Sequence, residues 1–205
     1  MSMYLPAHFR DDDPALALQV IADHPFATLV SMHDGAPFVT HCPMIAVQGE
    51  QGLELHGHVA RANAHHTAWA VQPDALAIFR GPQAYVSPNW YAPASARLAV
   101  PTWNYVVVHA QGTLVIEDDE GDKDALLKRL IGHMEPPYAQ QWRDMPEDYR
   151  HKMLGAIVGF RLTGVRLNGK YKLSQNRAAV DRQGVVEHLQ AQGEEAQALA
   201  QWMQR

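Results

Sequence analysis

The chain has 205 residues, with 17 Lys plus Arg against 22 Asp plus Glu and a formal charge of −5 with His neutral. Its 47% hydrophobic and 19% charged residues supply a packed core and exclude a highly charged, disordered chain. A single cysteine, Cys42, excludes an internal disulfide framework and a Cys-rich zinc site. The acidic, Pro-interrupted start MSMYLPAHFRDDD has no signal-peptide pattern, and no later stretch approaches the roughly 20 apolar residues of a membrane span. One soluble domain in a reducing cytoplasm is expected.

In chain order, Asp13-Pro14 before ALALQVIADHP predicts a capped helix that stops at Pro25. FATLVSM, APFVTHCPMIAV and GLELHGHV predict three meander strands, separated by turns at residues 33–35 and 49–52. Residues from about Asn63 to Val71 read as a helix ending before Pro73, ALAIFRG and QAYVS as two strands, and 88–101 as a Pro-rich loop. NYVVVHAQGTLVI is a long strand. The acidic turn after it offers Asp122 or Asp124 as the cap of a helix with Leu126, Leu127, Leu130, Ile131 and Met134 on one face. A helical stretch then reaches about Leu154, GAIVGFRLTGVRL forms another strand, and a polar helix covers about 186–204. Six or seven strands with short links favour antiparallel pairing and barrel closure, so the expected class is α+β with a small barrel.

Three segments carry polar and aromatic residues where a simple core would prefer aliphatic ones: HGHVARANAHH (56–66), residues 81–112, and GKYKLSQNR (169–177). In the first, free backbone N–H groups at a helix start near Arg61 and His58 would suit an anion, against the plainer reading of Asn63 as an N-cap and Arg61 as a surface charge. The second supplies Tyr85, Trp90, Tyr91, Trp103 and Tyr105, flat walls suited to a planar heterocycle or to a homodimer contact. In the third, the window 161–182 holds six Lys and Arg against the single acid Asp181, a net of +5 that suits an anionic ligand or a solvated face. The twelve histidines lack zinc-site spacing, so no metal is expected. There is no G-x-S-x-G elbow, P-loop or G-x-G-x-x-G.

Read together, MYLPAHF, THCPM, GHVARAN, FRGPQAYVSPNWY, VPTWNYVVVHAQG, IVGF and KLSQNR resemble the PaiB family of FMN-binding negative transcriptional regulators. The resemblance covers about residues 3–185. It implies a split β-barrel of the pyridoxamine-phosphate-oxidase-like type with peripheral helices, and a homodimer with FMN at the subunit interface. By resemblance, His58, Arg61 and Asn63 go to the phosphate and ribityl end. Thr40 and His41 go to the polar edge of the flavin, and Trp103, Asn104 and Tyr105 bound its ring. Lys172, Ser174, Gln175 and Asn176 close the pocket, with the other subunit as one source. Direct DNA binding requires a reading helix that the sequence does not display. An FMN-dependent oxidoreductase acting on a small molecule is therefore the competing function, with His41, His109 or Tyr85 as proton-transfer candidates. A third reading is a barrel that dimerises through its aromatic loop and binds another anion.

Overall fold

A computed structural model describes residues 3–205. A two-residue strand β1 (Arg10–Asp11) leads into helix α1 (Pro14–Asp23), where Asp13 accepts from the Ala15 N–H and Pro14 occupies the first turn. Strands β2 (Phe26–His33) and β3 (Ala36–Gly49) form an antiparallel hairpin across Asp34-Gly35. Both turn residues have positive φ, 51° and 78°, the pairing of dihedrals that matches a two-residue turn to strand twist. Strand β4 (Gly52–Ala60) continues the meander.

After β4, the expected helix is only a 3₁₀ turn, Ala64–Ala68, capped by Asn63. Five residues align too few peptide dipoles for the anion-binding helix start considered above. The two strands expected at 74–87 are one, β5 (Asp74–Val86). Pro82 lies beyond the Ala75–Ile78 stretch that pairs with β2, so its missing N–H removes no bond to β2. The Pro-rich loop contains a 3₁₀ turn at Pro88–Trp90 and the short helix α2 (Pro93–Ala96).

Strand β6 (Thr102–Glu117) precedes α3 (Glu120–Met134). Its cap is Asp119, not Asp122 or Asp124: Asp119 is the last extended residue, and its carboxylate accepts from the Gly121 N–H at 2.8 Å. Asp124 instead accepts from the Trp142 indole at 2.8 Å. Leu126 is buried, whereas Met134 is exposed and Lys123 is buried with its amine 3.0 Å from Asp118. The following helical stretch is split at Pro146 into α4 (Ala139–Asp144) and α5 (Glu147–Gly155). Strand β7 (Ile157–Lys172) leads to two C-terminal helices, α6 (Ala179–Gln190) and α7 (Glu194–Met203), where one was expected; Gly193 separates them.

The strand order is β1-β7-β4-β3-β2-β5-β6, and an additional pairing of β7 with β6 closes the series. The pairings of β1 with β7, β2 with β3 and β5, and β4 with β3 and β7 are antiparallel. The expected α+β split barrel is present. Contacts divide the chain into two compact units. The first comprises residues up to His24, Phe79–His109 and Leu167–Arg205; the second comprises Pro25–Ile78 and Ala110–Arg166. The first unit packs Val20, Ile21, Phe79, Val108, Val185, Leu189 and Leu199; the second packs Leu29, Met44, Leu55, Trp69, Leu126, Leu154 and Phe160. Among the described residues, no helix is long and apolar enough to cross a membrane.

Candidate functional site

In the second unit, β3, β4 and the turn after β4 bring several predicted residues together. The Asn63 amide donates to the Thr40 hydroxyl at 3.0 Å, while its carbonyl caps the His65 N–H at 3.0 Å. His65 is fully buried, with Nδ1 2.9 Å from Thr40 Oγ1 and Nε2 2.7 Å from Ser31 Oγ. Phe38 stacks on the imidazole at 4.6 Å, and Trp69 meets it edge-on. Burial, reinforced by nearby His33, lowers the His65 pKa to about 4, so the ring is neutral and each nitrogen has a hydroxyl partner. No sequence motif singles out His65 from its neighbour His66, which instead reaches the Arg61 carbonyl at 3.1 Å.

Arg61 has a different setting from the one its sequence context suggests. Its guanidinium is bidentate to Asp118, and it also donates to the carbonyls of Gly155 at 2.7 Å and Ile157 at 2.9 Å. Four of its five donor directions thus meet protein acceptors. The Arg61 guanidinium, joined by Lys123, lowers the Asp118 pKa to about 2. His41 is exposed, with Nδ1 3.2 Å from Thr28 Oγ1 and its ring stacked on Phe26 at 6.2 Å. His58 has a buried Nδ1 with no hydrogen-bond partner, and burial lowers its pKa. Cys42 is buried, and its thiol is pushed up to about 12 by desolvation.

In the first unit, the predicted ring-binding residues gather around the ends of β6 and β7. Asn104 is buried, donates to Ser174 Oγ at 2.8 Å, and leaves its side-chain carbonyl oxygen buried without a partner. Ser174 holds a left-handed backbone, φ 61°, that turns the chain out of β7. Gln175 pins that turn by accepting from Leu173 N–H at 2.8 Å and donating to the Tyr171 carbonyl. The Lys172 amine donates to Thr102 Oγ1 and the Trp103 carbonyl, and desolvation lowers its pKa, assisted by Lys170 and Arg177. Asn176 is exposed.

The aromatic residues do not form one slot. Tyr85 meets Trp90 and Trp103 edge-on, both at 6.3 Å, and Trp103 donates to Gln83 at 3.0 Å. Trp90 stacks on His188 at 5.2 Å. Tyr91 is buried beneath the Arg177 guanidinium, and Tyr105 lies 5.6 Å from the Lys170 amine.

The basic window is also less exposed than its composition suggests. Arg161 pairs with Glu54 at 3.2 Å and Glu117 at 3.1 Å, and Lys170 is buried and donates to the Tyr4 carbonyl at 2.9 Å. Arg182 donates to the Met203 carbonyl at 2.8 Å. Together with Lys172 and Arg177, these residues leave Arg166 as the exposed cation of the six. Among the described residues, no group of three or more His, Cys, Asp or Glu is placed to hold a metal ion.

The closed antiparallel strands with flanking helices define the split-barrel class of flavin-binding proteins. Solved structures share this fold: the FAD and heme binding protein from Mycobacterium smegmatis has a TM-score of 0.60 at 18% identity, covering 85% of this chain and 78% of that one. The flavocytochrome Anf3 from Azotobacter vinelandii has a TM-score of 0.58 at 18% identity, covering 79% of this chain and 67% of that one. Residues 3–166 match the family described as "Putative FMN-binding domain", and the chain belongs to this PaiB-type FMN-binding family. It is 31% identical over 191 residues to protease synthase and sporulation protein PAI 2 of Bacillus subtilis, covering 92% of this chain and 89% of the relative.

FMN is the cofactor that this membership assigns, and the side chains present fit its needs. Ribityl hydroxyls and a ring edge require polar partners; in the second unit the buried, unpartnered His58 Nδ1 is of the first kind, and in the first unit the buried, unpartnered Asn104 Oδ1 is an acceptor of the second. The Lys172 amine beside these ring candidates is held on two oxygens, Thr102 Oγ1 and the Trp103 carbonyl.

Proposed function

We propose that this protein is an FMN-binding homodimer of the PaiB type that influences gene expression through flavin redox chemistry on a small molecule, without a DNA-reading helix of its own. The observation carrying this reading is the internal use of the cations in residues 161–182. Arg161, Lys170, Lys172, Arg177 and Arg182 each engage a carboxylate, carbonyl, hydroxyl or ring within the protein. A phosphate-backbone footprint needs Lys and Arg side chains presented to solvent. The C-terminal helices add Glu187, Glu194 and Glu195 to their exposed surfaces, which repels a duplex.

The two residue sets are assigned separately. In the second unit, His58, Arg61 and Asn63 are the candidates for the phosphate and ribityl end; Thr40 and His41, the polar-edge candidates, are consecutive in β3 and point to opposite faces, Thr40 to the core and His41 outward, so one flavin edge meets only one of them. In the first unit, Trp103, Asn104 and Tyr105 are the candidates to bound the ring, with Lys172, Ser174, Gln175 and Asn176 closing over it. When bound, FMN supplies hydride or electron transfer between a reductant and the small molecule. Neutral His58 presents an imidazole nitrogen for pairing without the cost of a buried charge. Ser174 and Gln175 hold the turn that carries Asn176, while Asn104 keeps an acceptor oriented from a buried position. Half-exposed Tyr85 is the candidate for exchanging protons with solvent, and His41, which lies on the outward β2–β3 face, is the candidate for doing so with a bound small molecule.

The homodimer has its own support. The outward face of the β2–β3 hairpin carries the cross-strand pairs Phe26–Pro43, Val30–Val39 and Met32–Pro37. Phe26 is 67% exposed, Val39 48% and Met32 41%. With one polar pair, Thr28–His41, among its apolar ones, such a face fits a second copy of itself across a twofold axis. Cys42 as the lone cysteine is consistent with a reducing cytoplasm.

The test is to compare flavin reduction by NADH and NADPH, in the presence of candidate acceptors, with DNA binding across a salt series. Flavin turnover with weak, sequence-indifferent DNA binding supports the reading. Tight, sequence-specific DNA binding with a steep salt slope overturns it.

A further inference from the structure

A cavity lies wholly within the first unit, lined by β1, α1, the end of β7, α6, α7 and Arg205, with a volume of about 190 Å³. Its apolar walls are Leu16, Leu173, Trp202 and Met203. Tyr171 stacks on Trp202 at 5.7 Å with an interplanar angle of 23°. Gly169 permits this placement: a Cβ there would lie 2.6 Å from the Tyr171 ring and hydroxyl, so the ring folds back along its own strand only because residue 169 has no side chain.

Two polar atoms in the lining stand out. Tyr171 is 4% exposed, and its hydroxyl has no hydrogen-bond partner. The Arg182 Nε is likewise buried without a partner, although its Nη2 holds the Met203 carbonyl. A buried donor left unpaired costs free energy, and one belonging to a permanent cation costs more. Desolvation, with help from Asp11 and Asp13, pushes the phenol up to about 12, so it remains a neutral O–H donor at physiological pH. Arg10, Arg182 and Arg205 against Asp11 leave the lining net positive. Arg205 lies over the Trp202 ring at 3.9 Å and extends the rim.

We propose that this cavity binds a small aromatic monocarboxylate, with the carboxylate accepting from Tyr171 O–H and Arg182 Nε–H and the ring lying among Leu16, Leu173 and Trp202. The volume is below the ~300 Å³ at which drug-sized sites begin, which limits the ligand to about one ring with its acid group. Asp11 at the wall disfavours a doubly charged phosphate and favours a single negative charge. Tyr171 and Lys172 are consecutive in β7 and point to opposite faces, so this site is separate from the Lys172 amine assigned to the flavin.

The experiment is calorimetric titration of the full-length protein, without FMN and loaded with FMN, using benzoate as probe and benzamide as its uncharged control. Saturable benzoate binding of equal affinity in both states is expected, with benzamide weaker by about tenfold or more, since a hydrogen bond to a charged group contributes that much. Tyr171→Phe keeps the ring and should weaken benzoate by about tenfold, and Arg182→Lys should weaken it similarly. Absence of saturable binding, equal affinity for benzamide, an unaffected Tyr171→Phe variant, or displacement of benzoate by FMN would each overturn the assignment.

Discussion

The Thr40 hydroxyl lies 2.9 Å from Nδ1 of His65, and this bond ties the middle of β3 to the turn that follows β4. Because Asn63 donates to the same hydroxyl, one buried oxygen links two residues assigned to the cofactor with one that no motif marks. Thr40→Val should destabilise the protein by about 1–3 kcal/mol, the cost of leaving a buried imidazole nitrogen and an amide unpaired. A double-mutant cycle with His65→Phe in urea melts should show strong coupling; additive effects would separate the pair.

His65 also sets a pH dependence. Its folded pKa of about 4 lies below the ordinary 6.5, so the neutral form is the one the fold holds. That contribution is complete above about pH 6.5 and is lost as pH falls towards 4. Thermal melts between pH 7 and 4 should show a falling midpoint, and His65→Phe should flatten the fall; an equally steep fall in the variant would assign it elsewhere.

The Arg61–Asp118 clamp is expected to be structural as well as electrostatic. Arg61→Gln should lower the melting temperature by releasing the Gly155 and Ile157 carbonyls, whether or not FMN is bound. Asp118, held at about 2, contributes stability above its ordinary value of 3.8 that disappears as pH falls through 2; Asp118→Asn should remove that portion. Half-exposed side chains and solvent screening keep the pair's own contribution small.

Burial makes Cys42 unreactive. With its thiol pushed up to about 12, native protein at pH 8 should resist a thiol reagent for hours and react promptly once unfolded in guanidinium. Fast native labelling would show that β3 opens readily.

The outward face of β2 and β3 predicts the assembly. Phe26→Asp with Val39→Asp should convert a dimer into a folded monomer in sedimentation, because two charges would then face their copies across the interface. A dimer that persists unchanged would place the interface elsewhere.

The meander was legible because its turns are local: Asp34-Gly35 and Gly49–Gly52 separate alternating strands whose register follows from turn length. The Asn63 cap was legible for the same reason. The Arg61–Asp118 pairing joins residues 57 apart, and no pattern near Arg61 marks Asp118 as its partner. His65 looks like its exposed neighbours in ARANAHH, and only the packing of Phe38 and Trp69 makes it the buried hub. Gly81-Pro82 reads locally as a break; the place where β5 leaves β2 is a tertiary fact that lets one strand continue through it. The composition of 161–182 likewise could not reveal that most of its cations have internal partners.

The most direct measurement is the visible absorption spectrum of the purified protein after incubation with FMN and desalting. Retained flavin bands near about 375 and 450 nm, at one FMN per chain and lost in a His58→Ala, Asn104→Ala double variant that still melts cooperatively, are the predicted result. A colourless wild-type protein after the same treatment would contradict the account.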